Sequence, residues 1–308
     1  MRVVFFGTPE FAVPSLRALL RRRIEVAAVV TQPDKPQGRS RSTLIPPPVK
    51  VVAEDAGLTV LQPERPTGDL FVAGLRHLRA DVGIVVAYGH ILRTDVLAAP
   101  AHGMINVHAS LLPRWRGAAP IPWAILAGDT ETGVTIMQMD KGLDSGPMLQ
   151  RASTPIGPEE TGGALADRLA DLGAATLIAT LDRLMKGEPL EPEPQDPALV
   201  TYAPKIDRTT THLAFGNGGA VAARTIRAFD PAPGAWTTIG GTPVKLFGAR
   251  AVATSGEPGR VLAADRTLVI GCGVDSVEVL EVQPAGKARM PVAAWVRGRG
   301  VRVGDCLV

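Results

Sequence analysis

The chain has 308 residues, of which 45% are hydrophobic, 20% charged and only 4% aromatic, and its formal net charge is +3. That length accommodates two domains, and the balance of apolar and charged residues excludes a disordered chain. Two cysteines outside any C-x-x-C spacing exclude a disulfide scaffold and read as ordinary residues of a reducing compartment, and no stretch approaches the ~18 apolar residues of a membrane span. A cytoplasmic protein is expected.

Residues 2–6 form an apolar strand, and Gly7 turns it towards a helix with Thr8 as its cap and Pro9 in its first turn. Phe11, Leu16, Leu19 and Leu20 give that helix an apolar face, which Pro14 delays or kinks. With a second strand at 26–30 this is the opening of a right-handed βαβ unit. It lacks G-x-G-x-x-G, so a dinucleotide is not indicated. Residues 31–50 are rich in Pro, Gly and Ser and read as a long structureless loop. Lys35, Arg39, Arg41 and Lys50 outweigh Asp34 there, which suits a clamp on phosphates as well as a plain solvated loop. A helix at 70–78, capped by Thr67, precedes the continuous apolar run 82–87 of a central parallel strand, which ends at Tyr88-Gly89.

The next strand, 103–108, carries Asn106 and His108 two residues apart, so both point to one side. A Pro/Gly-rich loop follows, from Ser110, Leu111, Leu112 and Pro113 through Arg114, Trp115 and Arg116 to Pro120, and a short packed helix covers 120–126. Residues 133–139 alternate as a strand and empty into the turn 140–146, which bears Asp144. An amide beside an imidazole, with a carboxylate in reach, suits chemistry that passes through a tetrahedral oxyanion. Alone, an N-x-H pair more often merely satisfies buried backbone. No metal-ligand cluster and no nucleophilic Ser or Cys dyad competes.

A long helix at 164–185 closes the first domain, and the Glu/Pro alternation of 187–197 reads as an extended, semi-stiff linker. Beyond it, a helix at 219–229 precedes five short strands at 236–239, 244–247, 261–264, 267–270 and 277–282, the rhythm of a small barrel of the OB type, with a helical stretch at 291–296 capping it. Residues 201–308 hold ten Arg and three Lys against eight acidic residues, net +5, which leaves −2 for the first 200. A basic C-terminal part fits a module that holds nucleic acid, or a solvated Arg-rich surface.

Asn-x-His, SLLPRWRGAAPI, GVTIMQM and GLDSG, in this order and spacing, resemble the folate-dependent formyltransferases, and most closely the branch that formylates methionyl-tRNA. GTPEFA, TQPDKPQGR, PPVK, VVAYG and QPAGKARM extend the likeness over nearly the whole chain. The resemblance implies an α/β fold, a Rossmann-like open and mostly parallel sheet followed by an OB-like β-barrel. Residues 1–188 would be the catalytic domain binding folate, 189–205 the linker and 206–308 the tRNA-binding domain. The donor would be 10-formyltetrahydrofolate, without a metal, and the acceptor the α-amino group of initiator methionyl-tRNA. Asn106, His108 and Asp144 would be catalytic: an oxyanion donor, an acid or base with an ordinary pKa near 6.5, and its orienting carboxylate. Ser110, Leu111, Leu112, Pro113, Val86, Tyr88 and Gly89 would line the folate site. Lys35, Arg39, Arg41, Lys50, Lys287 and Arg289 would meet tRNA, with the protein a monomer. The alternatives are a formyltransferase acting on glycinamide ribonucleotide or an amino sugar, and a catalytically silent RNA-binding relative. The chain departs from the family at Ala232, where an aromatic is usual, and at Phe215.

Overall fold

The computed structural model describes residues 1–37 and 43–308, so Arg39 and Arg41 lie outside the described residues. In chain order the first strands and helices are β1 (Arg2–Gly7), α1 (Val13–Arg21), β2 (Glu25–Val30), β3 (Lys35–Gln37), β4 (Thr43–Ile45), α2 (Pro48–Asp55), β5 (Val60–Leu61), α3 (Asp69–His77), β6 (Val82–Val86), α4 (Thr94–Leu97) and β7 (Met104–His108). There follow β8 (Arg116–Gly117), α5 (Pro120–Ala127), β9 (Glu131–Gln138), β10 (Met148–Pro155) and the long α6 (Gly162–Met185). The chain separates into two compact units, one of residues 1–117, 132–154 and 166–202, the other of 118–131, 155–165 and 203–308.

The first unit is built on a seven-stranded sheet in the order β10-β9-β7-β6-β1-β2-β5. It is parallel from β5 through β7, and β9 runs antiparallel to β7. Every residue of β6 is buried, as expected of a Val/Ile run covered on both faces. One face carries a core of Val3, Phe5, Leu16, Leu19, Ile84 and Leu177, and the other a core of Val4, Phe6, Val72, Leu75, Val85 and Tyr88. The open, mostly parallel sheet expected from the sequence is therefore present.

Three local expectations are corrected. Helix α3 follows Gly68, and Thr67 does not cap it. Helix α1 begins at Val13 after a 3-10 turn at Glu10–Ala12, and Thr8 does not cap it. The Thr8 hydroxyl instead donates to the Tyr88 carbonyl at 3.0 Å, and Pro14 sits in the first turn, where its missing N–H costs nothing. The stretch 31–50 is also not structureless throughout. Strands β3 and β4 pair antiparallel, Lys35 opposite Ile45 and Pro36 opposite Leu44, and α2 starts at Pro48, whose fixed φ suits a first helical position.

Strand β11 (Tyr202–Ala203) falls on the boundary in sequence, and the second unit goes on to α7 (Gly219–Ala228), β12 (Ala235–Ile239), β13 (Thr242–Val252), β14 (Val261–Ala264), β15 (Leu268–Gly271), β16 (Ser276–Pro284), β17 (Met290–Pro291) and α8 (Val292–Arg297). An antiparallel sheet runs β12-β13-β16-β15-β14, with β17 also on β16. The last residues join its two edges. Thr238 of β12 and Val308 exchange backbone hydrogen bonds at 2.9 Å, while Val261 of β14 donates to Asp305 and Leu307 to Gly259. The edges are thereby covered and the sheet is barrel-like, which removes a template for aggregation. Helix α5 packs on α7 within this unit, with Arg224 Nε donating to the Leu126 carbonyl at 3.3 Å.

Candidate active site

The carboxyl ends of β1, β6 and β7 lie side by side, because Gly7 pairs with Val86 and Val85 with Asn106. Open α/β sheets bind ligands along such an edge. The chain leaves β6 through Ala87 (φ 46) and Gly89 (φ 86), a turn pinned at the Tyr88 carbonyl by Thr8 Oγ1 and Gln32 Nε2, each at 3.0 Å. A Cβ on Gly89 would run into that Gln32 amide, so the position needs glycine for space as well as for φ.

His108 ends β7 with its side chain only 6% exposed. Its Nε2 lies 2.9 Å from the Trp115 carbonyl, and since a carbonyl only accepts, Nε2 carries the hydrogen. The bare nitrogen of the neutral ring is then Nδ1, 3.7 Å from Asp144 Oδ2. That is beyond hydrogen-bond distance. A proton on Nδ1 makes this contact an ion pair. The carboxylate is aimed by the Gly117 amide, which donates to the same Oδ2 at 2.9 Å. Asn106 shares the side of β7 with His108. Its half-buried amide makes no hydrogen bond among the described residues, so a donor stands open beside the imidazole.

The loop after β7 is held from β9. Thr135 Oγ1 donates to the Ser110 carbonyl at 2.7 Å and accepts from Leu112 N at 3.1 Å, and Ser110 Oγ donates to the Arg114 carbonyl at 2.6 Å. Leu112 is buried in a small apolar cluster with Met137 and Met148. Pro113 is buried too, and Leu111 lies where a side chain on Gly133 would collide with it. Val86 is fully buried in the core beneath the strand ends. The Tyr88 ring points into the other core, edge-on to Phe6 at 5.4 Å, and its buried hydroxyl has no hydrogen-bond partner among the described residues. Burial pushes that phenol up to about 12.

The residues expected to meet tRNA fall into distinct surroundings. Lys35 is exposed on β3 and Lys287 is exposed on the turn after β16. Lys50 on α2 spends its charge on Asp34, at 2.8 and 2.9 Å, and Gln62 Nε2 donates to the same carboxylate at 2.7 Å. These bonds, that from Gln62 foremost, hold the Asp34 carboxyl below the usual range. Arg289 pairs with buried Asp230 at 2.7 Å and with Glu281 at 2.5 Å, and lies 4.2 Å over the Phe247 ring.

Residues 1–181 match the family described as formyl transferase, and residues 205–300 match the formyl transferase C-terminal domain. The chain belongs to the formyl transferase family. A methionyl-tRNA formyltransferase of Paracoccus denitrificans is 51% identical over 97% of both chains. Among solved structures, HypX from Aquifex aeolicus in complex with tetrahydrofolic acid superposes with a TM-score of 0.67 at 20% identity, covering 97% of this chain and 47% of that one. A sugar 3N-formyl transferase, WlaRD, in the presence of dTDP and 5-N-formyl-THF gives 0.69 at 16%, covering 94% and 99%. These two likenesses concern the fold.

For a formyl transferase site, the sequence omits several groups that the structure supplies. The Trp115 carbonyl and the Gly117 amide are backbone atoms and leave no trace in a motif. Thr135 is hidden inside a strand pattern. Gln195 and Thr201 lie in the stretch read as a linker, where a single uncharged amide in a run of Glu and Pro was the available signal.

Proposed function

We propose that the protein transfers the formyl group of 10-formyltetrahydrofolate to the α-amino group of initiator methionyl-tRNA. The observation that carries this reading is the 51% identity, end to end, with a methionyl-tRNA formyltransferase. The site supports it. The amine attacks the formyl carbon, its lone pair forms the new C–N bond, and the formyl oxygen becomes an oxyanion facing the open Asn106 amide. The proton shed by the amine goes to His108 Nδ1, where Asp144 Oδ2 at 3.7 Å closes on the imidazolium. As the tetrahedral species collapses, the bond to the folate nitrogen breaks and that nitrogen takes the proton, leaving tetrahydrofolate and the formamide.

Folate is proposed to lie along the strand ends, against the exposed Ala87 and Gly89 and the Ser110–Pro113 loop. Lys35, Arg39, Arg41 and Lys287 are proposed to meet tRNA phosphates. Lys50 and Arg289, already matched by carboxylates, are proposed to hold their own elements in place. Residues 1–188 would then serve the chemistry and 206–308 the tRNA, in a cytoplasmic monomer. No helix of the described residues is long and apolar enough to cross a membrane. The test is incubation with 10-formyltetrahydrofolate and either initiator or elongator tRNA charged with methionine. Formyl-methionine on the initiator is expected, and transfer only to a small amine would overturn the reading.

A further inference from the structure

The two residues that face the ring nitrogens of His108 hold a backbone conformation that side-chain-bearing residues rarely adopt: Trp115 at φ 66 and Asp144 at φ 48. Each costs on the order of 1 kcal/mol or more and persists only where neighbours over-determine it. In both cases a neighbour comes from one short segment downstream of α6. Gln195 Nε2 donates to the carbonyl of Asp144 itself and to that of Gly146, both at 2.8 Å, while its Oε1 accepts from Arg116 Nε at 2.9 Å. Both donors of that amide and one of its two acceptor lone pairs are used, in the one orientation the partners permit. Thr201 Oγ1 accepts from Trp115 N at 2.9 Å, and the Thr201 carbonyl accepts from Arg116 N at 2.9 Å. Gln195 is half-buried although residues 191–194 and 196–199 on either side are exposed.

We propose that Gln195 and Thr201 are positioning residues that tie the two loops facing His108 into one frame. Gln195 sets the approach of Asp144 to Nδ1, and Thr201, through Trp115, keeps the hydrogen on Nε2. The kinetic part of this inference rests on the proposed formyl transfer; the geometric part does not. An amide that secures the carbonyl of a left-handed residue holds the backbone from which its carboxylate projects, Gly117 N holds the carboxylate itself, and a displacement of about 1 Å at such a group reduces turnover by roughly a hundredfold.

The experiment is a double-mutant cycle of Gln195→Ala with Asp144→Asn, scoring kcat and KM for both substrates beside thermal melts. Gln195→Ala is expected to lower kcat roughly 10- to 100-fold with KM little changed. In the Asp144→Asn background the same change is expected to cost no more than about threefold, because a residue that acts through another is not additive with it. Equal losses in both backgrounds would overturn the role of Gln195. If the alanine variant fails to fold, Gln195→Glu keeps the length and removes the two donors, and it enters the same cycle. For Thr201, valine keeps the shape without the hydroxyl and serine keeps the hydroxyl. Nitrogen-15 spectra of the His108 ring are expected to show Nε2–H in the parent and in Thr201→Ser, and a mixture of tautomers in Thr201→Val. An unchanged spectrum for valine would sink that half. This spectrum needs no turnover, so it decides the geometry even if the parent fails to formylate tRNA, which would refute the function alone.

Discussion

Asn106 and Tyr88 stand in opposite surroundings, one open to the site and the other turned into the core, and substitutions separate them. The Asn106 amide engages no described residue, so removing it leaves no orphan and should not harm folding. Asn106→Ala is therefore expected to melt as the parent does and to lose roughly 10² to 10³ in kcat, the loss typical of one oxyanion donor. Near-normal turnover of the folded variant would end the oxyanion assignment. Tyr88 offers a test by pH. The folded chain holds its phenol proton up to about 12, whereas the unfolded chain releases it near 10. Folded stability from this group is thus complete below about pH 10 and is lost as pH rises towards 12, by roughly 2 to 3 kcal/mol. Tyr88→Phe is expected to remove that alkaline loss in denaturant titrations and to leave the KM for folate unchanged, since the hydroxyl points into the core. The Asn-x-His pair was legible because a strand sorts its residues by twos, and Asp144 because a turn announces itself by Gly and Asp. The Trp115 carbonyl was not, since every residue has one and only the fold selects which is used.

At the scale of elements, the helices and strands with strong periodicity stand close to where the sequence puts them. Helix α6 is expected at 164–185 and found at Gly162–Met185, and α7 is expected at 219–229 and found at Gly219–Ala228. Their ends depend on partners far away in sequence. Helix α7 follows Gly218, which has no side chain to cap it, and Asp275 from the turn before β16 supplies the cap, accepting from Gly219 N at 2.5 Å and Ala220 N at 3.3 Å. Asp275→Ala is expected to cost about 1 kcal/mol in urea unfolding, with no effect on folate binding. Strand β10 carries no periodic signal, because Gln150, Arg151 and Thr154 dilute any apolar pattern. Its position is set by β9, where Gly133 passes the Ala152 carbonyl so closely that a methyl group would collide with backbone. Gly133→Ala is expected to lower stability by roughly 1 to 3 kcal/mol, read as a drop in the melting temperature.

For the whole molecule, net charge sets a bound on how tRNA is held. If the C-terminal part holds tRNA as proposed, its net charge of +5 neutralises few phosphates, and each contributes about −0.9 to the log-log salt slope on duplex nucleic acid. Affinity for tRNA is expected to fall with salt at a slope no steeper than about −5, and a much steeper slope would show that basic residues elsewhere dominate. Composition marks where the Glu/Pro run lies, but it carries no sign that residues 118–131 and 155–165 belong to the same compact unit as 203–308. That interleaving comes from packing between distant helices, which leaves no local pattern. It also has a consequence for synthesis. Helix α5, with Ile121, Ala124 and Ile125 destined for burial, leaves the ribosome about 90 residues before its packing partner α7. At roughly 5 to 20 residues per second, that apolar surface waits for about 5 to 20 s on each nascent chain, an interval in which a ribosome-bound chaperone has something to hold.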